Sequence, residues 1–217
     1  MNKIKAIIFD FDGVIAESVN VKTEAFAEIY KPYGDDVVRK VVEHHLANGG
    51  VSRFEKFRIY HKEFLKRNIS DREIQILAQQ FSDLVLNKVV EAPYVKGSYE
   101  FISNNYSNYD FYVSSGTPEN EIREISERRN IEHFFKGIFG SPSLKGKHVR
   151  KIIRENNYLT NEVIFIGDAP SDSKAAKENN IHFIARVCDN DSLLVNEKNI
   201  IVDLTYLKNK LIEIVNI

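Results

Sequence analysis

Cysteine is nearly missing from this chain: Cys188 is the single one among 217 residues. An intrachain disulfide framework is therefore excluded, and a reducing compartment is the default for such a composition. Cys188 follows the apolar run HFIARV without a local nucleophile signature, so it reads as an inert residue at a strand end. An excess of charge of either sign is missing too. The 30 Lys and Arg residues face 31 Asp and Glu, for a formal net charge of -1. No global field draws the chain to nucleic acid or to an anionic membrane. Apolar runs long enough to cross a bilayer are absent, and the first run, in MNKIKAIIF, meets Asp10 too early for a signal peptide. The expectation is a soluble cytoplasmic protein with no nucleic-acid or membrane partner. Internal repeats and low-complexity tracts are absent as well. What is present suffices for a sizeable core, since 43% of the residues are hydrophobic. The length suits one large domain, or one domain carrying a smaller inserted one.

Five short apolar runs read as strands: KAIIF, DFYVSS (110–115), GIFGS (137–141), EVIFIGD (162–168) and HFIARV (182–187). Helical patterns separate them. Thr117-Pro118 predicts a helix start, with Thr117 as N-cap and Pro118 at the first helical position. KHVRKIIREN carries Val149, Ile152 and Ile153 on one stripe, SDSKAAKEN carries a further helix, and LKNKLIEIV closes the chain. Alternating strands and helices predict an α/β fold with a doubly wound parallel sheet. Residues 16–92 break the rhythm and hold no convincing strand. VNVKTEAFAEIY is helical by pattern. SRFE (52–55) and SDRE (70–73) both carry the capping-box spacing, and each opens a long amphipathic stretch. The predicted organisation is a core of residues 1–15 and 93–217 with an all-helical insertion over 16–92, Pro93 and Gly97 flanking the return.

Ligands of open parallel sheets bind at the carboxyl ends of the strands. Three predicted strands end in suggestive groups there: Asp10 with Asp12, Ser114 with Ser115, and Asp168 with Asp172 nearby. Clustered carboxylates repel one another unless a cation sits among them. Hard oxygen ligands suit Mg²⁺, held by a few carboxylates, waters and substrate phosphate. Two close aspartates at the end of a buried strand thus make sense as a metal site with a reactive carboxylate.

DFDGV, SSGTP, a lysine near 145 and GDAPSD stand in the order of the four motifs of the haloacid dehalogenase-like superfamily, which the chain resembles over nearly its whole length. The helical insertion after the first motif is similar to the small cap of its phosphoglycolate phosphatase and β-phosphoglucomutase branch. The resemblance implies a Rossmann-like core and phosphoryl chemistry with Mg²⁺. It implies Asp10 as nucleophile and Asp12 as general acid, then base. It implies Asp10, the Asp12 main-chain carbonyl and Asp168 as metal ligands. Ser115 aligns with the hydroxyl residue that donates to a phosphoryl oxygen, with Gly116 beside it, although Ser114 is its immediate neighbour. SLKGKH offers two lysines. Lys145 fits the counting from GSPS better than Lys147 and would neutralise the Asp10–phosphate pair. Asp172 would orient the lysine or a metal-bound water. Singly, these residues also suit turns, helix caps or solvated helix starts.

An acid at position 12 argues for phosphate-ester chemistry over carbon–halogen or carbon–phosphorus cleavage. Gly50-Val51-Ser52-Arg53 resembles the cap loop in which β-phosphoglucomutases hold a second phosphate by an arginine; the plainer reading is an N-cap followed by an exposed first-turn arginine. His44 and His45 lie near this loop, and helical packing explains them equally well. Lys22 stands where those mutases carry a hinge histidine, and Gly167 replaces an acidic residue of their metal motif. The expectation is a phosphatase acting on a small phosphorylated metabolite, a sugar phosphate or phosphoglycolate. A sugar phosphomutase is the alternative, and a non-enzymatic binding protein on the same fold is the third reading.

Overall fold

The computed structural model describes residues 3–188 and 192–215. Six parallel strands form one sheet in the order β3-β2-β1-β4-β5-β6. They are β1 (Ala6–Phe9), β2 (Asp110–Pro118), β3 (Gly137–Ser141), β4 (Val163–Gly167), β5 (His182–Arg186) and β6 (Ile200–Ile201). A parallel sheet is covered on both faces, so its strands read as unbroken apolar runs. AIIF of β1 is fully buried, with Ile7 and Phe9 in one core layer and Ala6 and Ile8 in the other. The alternation follows from the two-residue period of a strand. Helices α7 (Lys145–Asn156) and α8 (Pro170–Glu178) fill the second layer through Val149, Ile152, Ala175 and Ala176. The first layer is filled by α5 (Ser98–Asn105), α6 (Glu119–Arg128) and α9 (Leu207–Val215).

Four helices stand between β1 and α5: α1 (Val19–Tyr30), α2 (Asp35–Ala47), α3 (Arg53–Ile59) and α4 (Asp71–Glu91). They form the inserted helical cap, whose own core stacks Phe26, Phe57, Tyr60 and Phe81 edge to face. Its two connections run side by side: Ala16 bridges Tyr94, and the amides of Glu17 and Val95 donate to Pro93 and Ile15 carbonyls. The Ser70–Glu73 capping box is complete at α4. At α3 the Ser52 hydroxyl accepts from the Glu55 amide at 3.4 Å. The amphipathic stretch after it does not continue as α-helix, because it passes into a π-helical turn at Tyr60–Phe64.

The helix start predicted at Thr117-Pro118 is corrected. Both residues extend β2, whose register with β3 shifts between Ser114 and Pro118, and α6 begins at Glu119. Proline suits a strand end as readily as a first helical turn, and here pairing with Ser141 of β3 decides. Helices α2 and α5 and the two-residue strand β6 were beyond the predicted set.

Candidate active site

The sheet order is that of a doubly wound fold whose direction reverses beside β1, between β1 and β4. A crevice opens at such a switch point, outside the carboxyl ends of the strands. Phe9 pairs with Val113 on one side and Ile166 on the other. One residue further along come Asp10, Ser114 and Gly167, so Ser115 and Asp168 follow at the same rim. The turn after β1 depends on Gly13, at φ 74°, because a Cβ there would lie 2.0 Å from Asp168 Oδ2.

Asp10 is buried. Its Oδ1 accepts from the Phe11 amide at 2.7 Å, and its Oδ2 lies 2.7 Å from Lys145 Nζ. Lys145 opens α7 and also donates to Asp172 Oδ1 at 2.6 Å. The other Asp172 oxygen accepts the Ala169 amide at 3.1 Å, at the start of α8. Carboxylate oxygens of Asp10, Asp168 and Asp172 all lie within 4.8 Å of one another. Burial pushes the Asp10 carboxyl up to about 7, with Asp172 and Asp12 adding to the rise and Lys145 opposing it. Burial, then the charges of Asp10 and Asp172, hold Asp168 well above the usual carboxylate range. Burial works against the Lys145 charge, but Asp10 and Asp172 outweigh it and raise the ammonium above its ordinary value. Three converging carboxylates against one shared ammonium form a hard-oxygen donor set that fits a divalent cation of the Mg²⁺ type.

Asp12 faces elsewhere. Its Oδ1 accepts from Ser18 Oγ at 2.6 Å, and Oδ2 forms an ion pair with Lys22 of α1. Lys22 donates as well to Thr117 Oγ1 at 2.6 Å. Burial disfavours the charged Asp12, yet Lys22 and the two hydrogen bonds prevail and lower its carboxyl. Ser115 is buried with its hydroxyl accepting from the Thr117 amide at 3.1 Å. Ser114 is taken up by His148 Nδ1 at 2.9 Å. Lys147 is exposed, unlike Lys145.

A cavity of about 420 Å³ opens between this rim and the cap, with Asp10, Asp12, Gly116 and Asp168 in its lining. That volume lies within the range of small-ligand sites. The cap loop sits directly on the core. Ser171 Oγ donates to the Gly49 carbonyl at 2.9 Å. Gly50 has φ 73°, and a Cβ on it would meet Ser171 Oγ at 2.2 Å and Lys145 Nζ at 2.8 Å. Only glycine permits so close an approach.

The sequence pattern of haloacid dehalogenase-like hydrolases matches residues 7–186, from β1 to the end of β5. The chain belongs to the haloacid dehalogenase-like hydrolase family. A protein of Thermotoga maritima named phosphorylated carbohydrates phosphatase is 28% identical over 190 residues, covering 83% of this chain and 84% of its own. Two solved structures share the fold. A β-phosphoglucomutase from Clostridium difficile superimposes with a TM-score of 0.79 at 20% identity, over 97% of this chain and 98% of that one. A protein of Haemophilus somnus described as a predicted phosphoglycolate phosphatase gives 0.75 at 15% identity, over 96% and 98%.

The strand-end rim thus brings together Asp10, Asp168, Asp172 and Lys145, with Asp12, Ser115 and Gly116 beside them. Arg53 lines the cavity but is neither exposed nor free. Its guanidinium pairs with Glu121 of α6 at 2.5 and 2.9 Å, donates to Ser82 Oγ at 2.7 Å and lies 4.4 Å from the Phe81 ring centre. Cys188 is exposed at the cavity. Sequence reasoning missed three cavity residues, or gave them no role. Lys22 was noted only for the histidine it replaces. Lys56 stands three positions after Arg53, on the same helix face, which was the available signal. Arg186, a charge inside the apolar run HFIARV, was another. Its guanidinium donates to the Gly13 carbonyl at 2.8 Å and grips Glu17 at 2.6 and 3.0 Å, fastening the turn that carries the aspartates.

Proposed function

We propose that this hydrolase is a Mg²⁺-dependent phosphatase releasing phosphate from a small phosphorylated metabolite, of the sugar-phosphate or phosphoglycolate type. The observation that carries the reading is the buried Asp10 carboxylate, 2.7 Å from the Lys145 ammonium and clustered with Asp168 and Asp172 beside the cavity. The name of the Thermotoga maritima relative, a phosphorylated carbohydrates phosphatase, agrees with it. Asp10 attacks phosphorus, the bond to the leaving oxygen breaks, and an aspartyl-phosphate forms, which divides one hard displacement into two. Asp12 gives its proton to the leaving alkoxide. It then takes a proton from the water that attacks phosphorus and frees Asp10. Ser115 and the Gly116 amide donate to phosphoryl oxygens, Lys145 neutralises the Asp10–phosphate pair, and Asp172 orients Lys145. Asp10, Asp168 and the Asp12 carbonyl would hold Mg²⁺, which supplies charge stabilisation for two anionic reactants. Residues 16–92 act as the cap over the cavity. Lys22 favours the ionised Asp12, the form the second step needs. The first step requires Asp12 to shed Lys22 and gain a proton, so the cap helix α1 must withdraw this side chain during turnover.

Arg53 serves a distal substrate anion in this reading only after Glu121 yields its place. Phosphate release from p-nitrophenyl phosphate and from a panel of phosphorylated metabolites, with and without EDTA, tests the proposal. Release that chelation abolishes and Mg²⁺ restores is expected. Activity that survives EDTA and dialysis overturns the metal assignment, and absence of release across the panel overturns the phosphatase. Interconversion of sugar phosphates without net release would instead favour the mutase.

A further inference from the structure

Three cations of the cap face the cavity: Lys22, Arg53 and Lys56. Two of them have carboxylate partners, Asp12 for Lys22 and Glu121 for Arg53. Lys56 has none among the described residues, yet it is 1% exposed. Its ammonium contacts His45 Nδ1 at 2.8 Å and the His45 carbonyl at 3.4 Å, and lies 5.6 Å from the Phe26 ring centre. A buried ammonium without a counter-charge is unfavourable unless something anionic completes it. Burial, reinforced by Lys22 and Lys145 and opposed by Asp12, brings Lys56 down to about 7. His45 is driven to about 3 by burial and then by Lys56, so its ring stays neutral and Nδ1 accepts a hydrogen bond donated by the Lys56 ammonium.

We propose that the Lys56 ammonium, seated on His45, anchors a second anionic group of the substrate, a carboxylate or a second phosphate remote from the phosphoryl group that Asp10 receives. This rests on the phosphatase reading above and deepens it. Lys56 and Asp10 line one cavity, so a small molecule with an anion at each end meets both. Arg53 would first have to exchange Glu121, with which it shares a buried two-bond pair. Lys56 needs no such exchange. A carboxylate or phosphate oxygen would form the charge-assisted bond that this ammonium lacks.

The experiment compares kcat/KM for esters paired by distal charge, using the full chain with Mg²⁺. Phosphoglycolate is set against ethyl phosphate for a carboxylate, and glucose 1,6-bisphosphate against glucose 6-phosphate for a second phosphate. At pH 6.5 the wild type should prefer the doubly anionic member of at least one pair by tenfold or more. The pair that responds identifies which anion the site takes. Lys56→Met should cut that ratio at least tenfold, and Lys56→Arg should restore part of it. The wild type alone gives a second readout should Lys56→Met fail to fold. The ratio should fall as pH rises from 6.5 to 8.5, because Lys56 loses its proton through about 7. The shared phosphate and Asp10 titrate in both esters and cancel. The groups facing Lys56 are Lys22 on α1, Lys145 on α7, Asp12 after β1 and neutral His45 on α2. Hydrolysis of p-nitrophenyl phosphate with no preference in either pair, with the same ratio in wild type and Lys56→Met, or with a ratio that does not move with pH, overturns the assignment to Lys56 and leaves the phosphatase standing. No release from any ester, p-nitrophenyl phosphate included, overturns the phosphatase reading and the assignment with it.

Discussion

At the scale of single residues, the chemistry rests on which carboxylate is held against which cation. Asp10 is a buried acid pushed up to about 7 by burial and its acidic neighbours, with only Lys145 to offset them. Asp10→Asn removes the proposed nucleophile and also relieves that repulsion. Turnover should fall by roughly three orders of magnitude or more, while urea unfolding shows a fold at least as stable as wild type. Beryllofluoride with Mg²⁺ should bind the wild type and fail to bind this variant; near-normal turnover by Asp10→Asn would refute the covalent route. The two lysines of SLKGKH separate in the same way. Lys145 is buried against Asp10 and Asp172, whereas Lys147 is exposed. Lys145→Ala should cost about 10²–10³-fold in kcat, the range for removing one preorganised group that stabilises charge. Lys147→Ala should cost little, and the reverse order of damage would move the role to Lys147.

At the scale of elements, the joint between cap and core sets a buried ion pair into a continuous apolar cluster that includes Val85 and Val89 of α4 and Ile122 and Ile125 of α6. Arg53 of α3 and Glu121 of α6 are 4% and 5% exposed, and Ser82 of α4 donates to the same carboxylate. Removing one partner strands a buried charge, so Arg53→Ala should destabilise the chain by about 3–5 kcal/mol. Replacing both by well-packed apolar residues should recover much of that loss. Chemical denaturation of the two singles and the double closes the cycle; additive losses would mean that the pair is not coupled. Pairing of Pro118 with Ser141 extends β2 and brings the Thr117 hydroxyl to Lys22, where a helix start would have used it as a cap.

At the scale of the molecule, the cap is seated on the core, and its buried lysine should leave a mark on stability. Lys56 in the folded chain titrates at about 7, below its ordinary 10.5. Between those values the unfolded chain binds more protons than the folded one, so stability rises with pH across that window. Below about 7 the full penalty is present. Lys56→Met should therefore be stabilised relative to wild type most at pH 6 to 7, and the difference in Tm should shrink toward pH 9. A difference independent of pH would show that the lysine is not buried as a charge. In the proposed function Mg²⁺ would bind where Asp10 and Asp168 converge, and unfolding abolishes that convergence. At a hundredfold excess over its Kd it should add about 2.7 kcal/mol of stability, read as a thermal shift that Asp168→Asn removes.

Much of this was legible in the chain itself, because it depends on local rules. An apolar β-branched run cut off by D-F-D-G announces a buried strand with acids at its end, and alternation of such runs with helical stripes announces a doubly wound sheet. The helix pattern VNVKTEAFAEIY and α1 coincide residue for residue, and the complete capping box at Ser70 starts α4 where the spacing put it. What only the tertiary structure decided are the partners that come from far along the chain. Arg53 meets Glu121, Arg186 holds Gly13 and Glu17, Lys22 takes Asp12, and Lys56 is left with His45. Local spacing says that a side chain is on a helix face, but not which charge will be packed against it. That is set by sheet register and by how four cap helices close over the strand ends, where burial makes an ion pair or its absence matter.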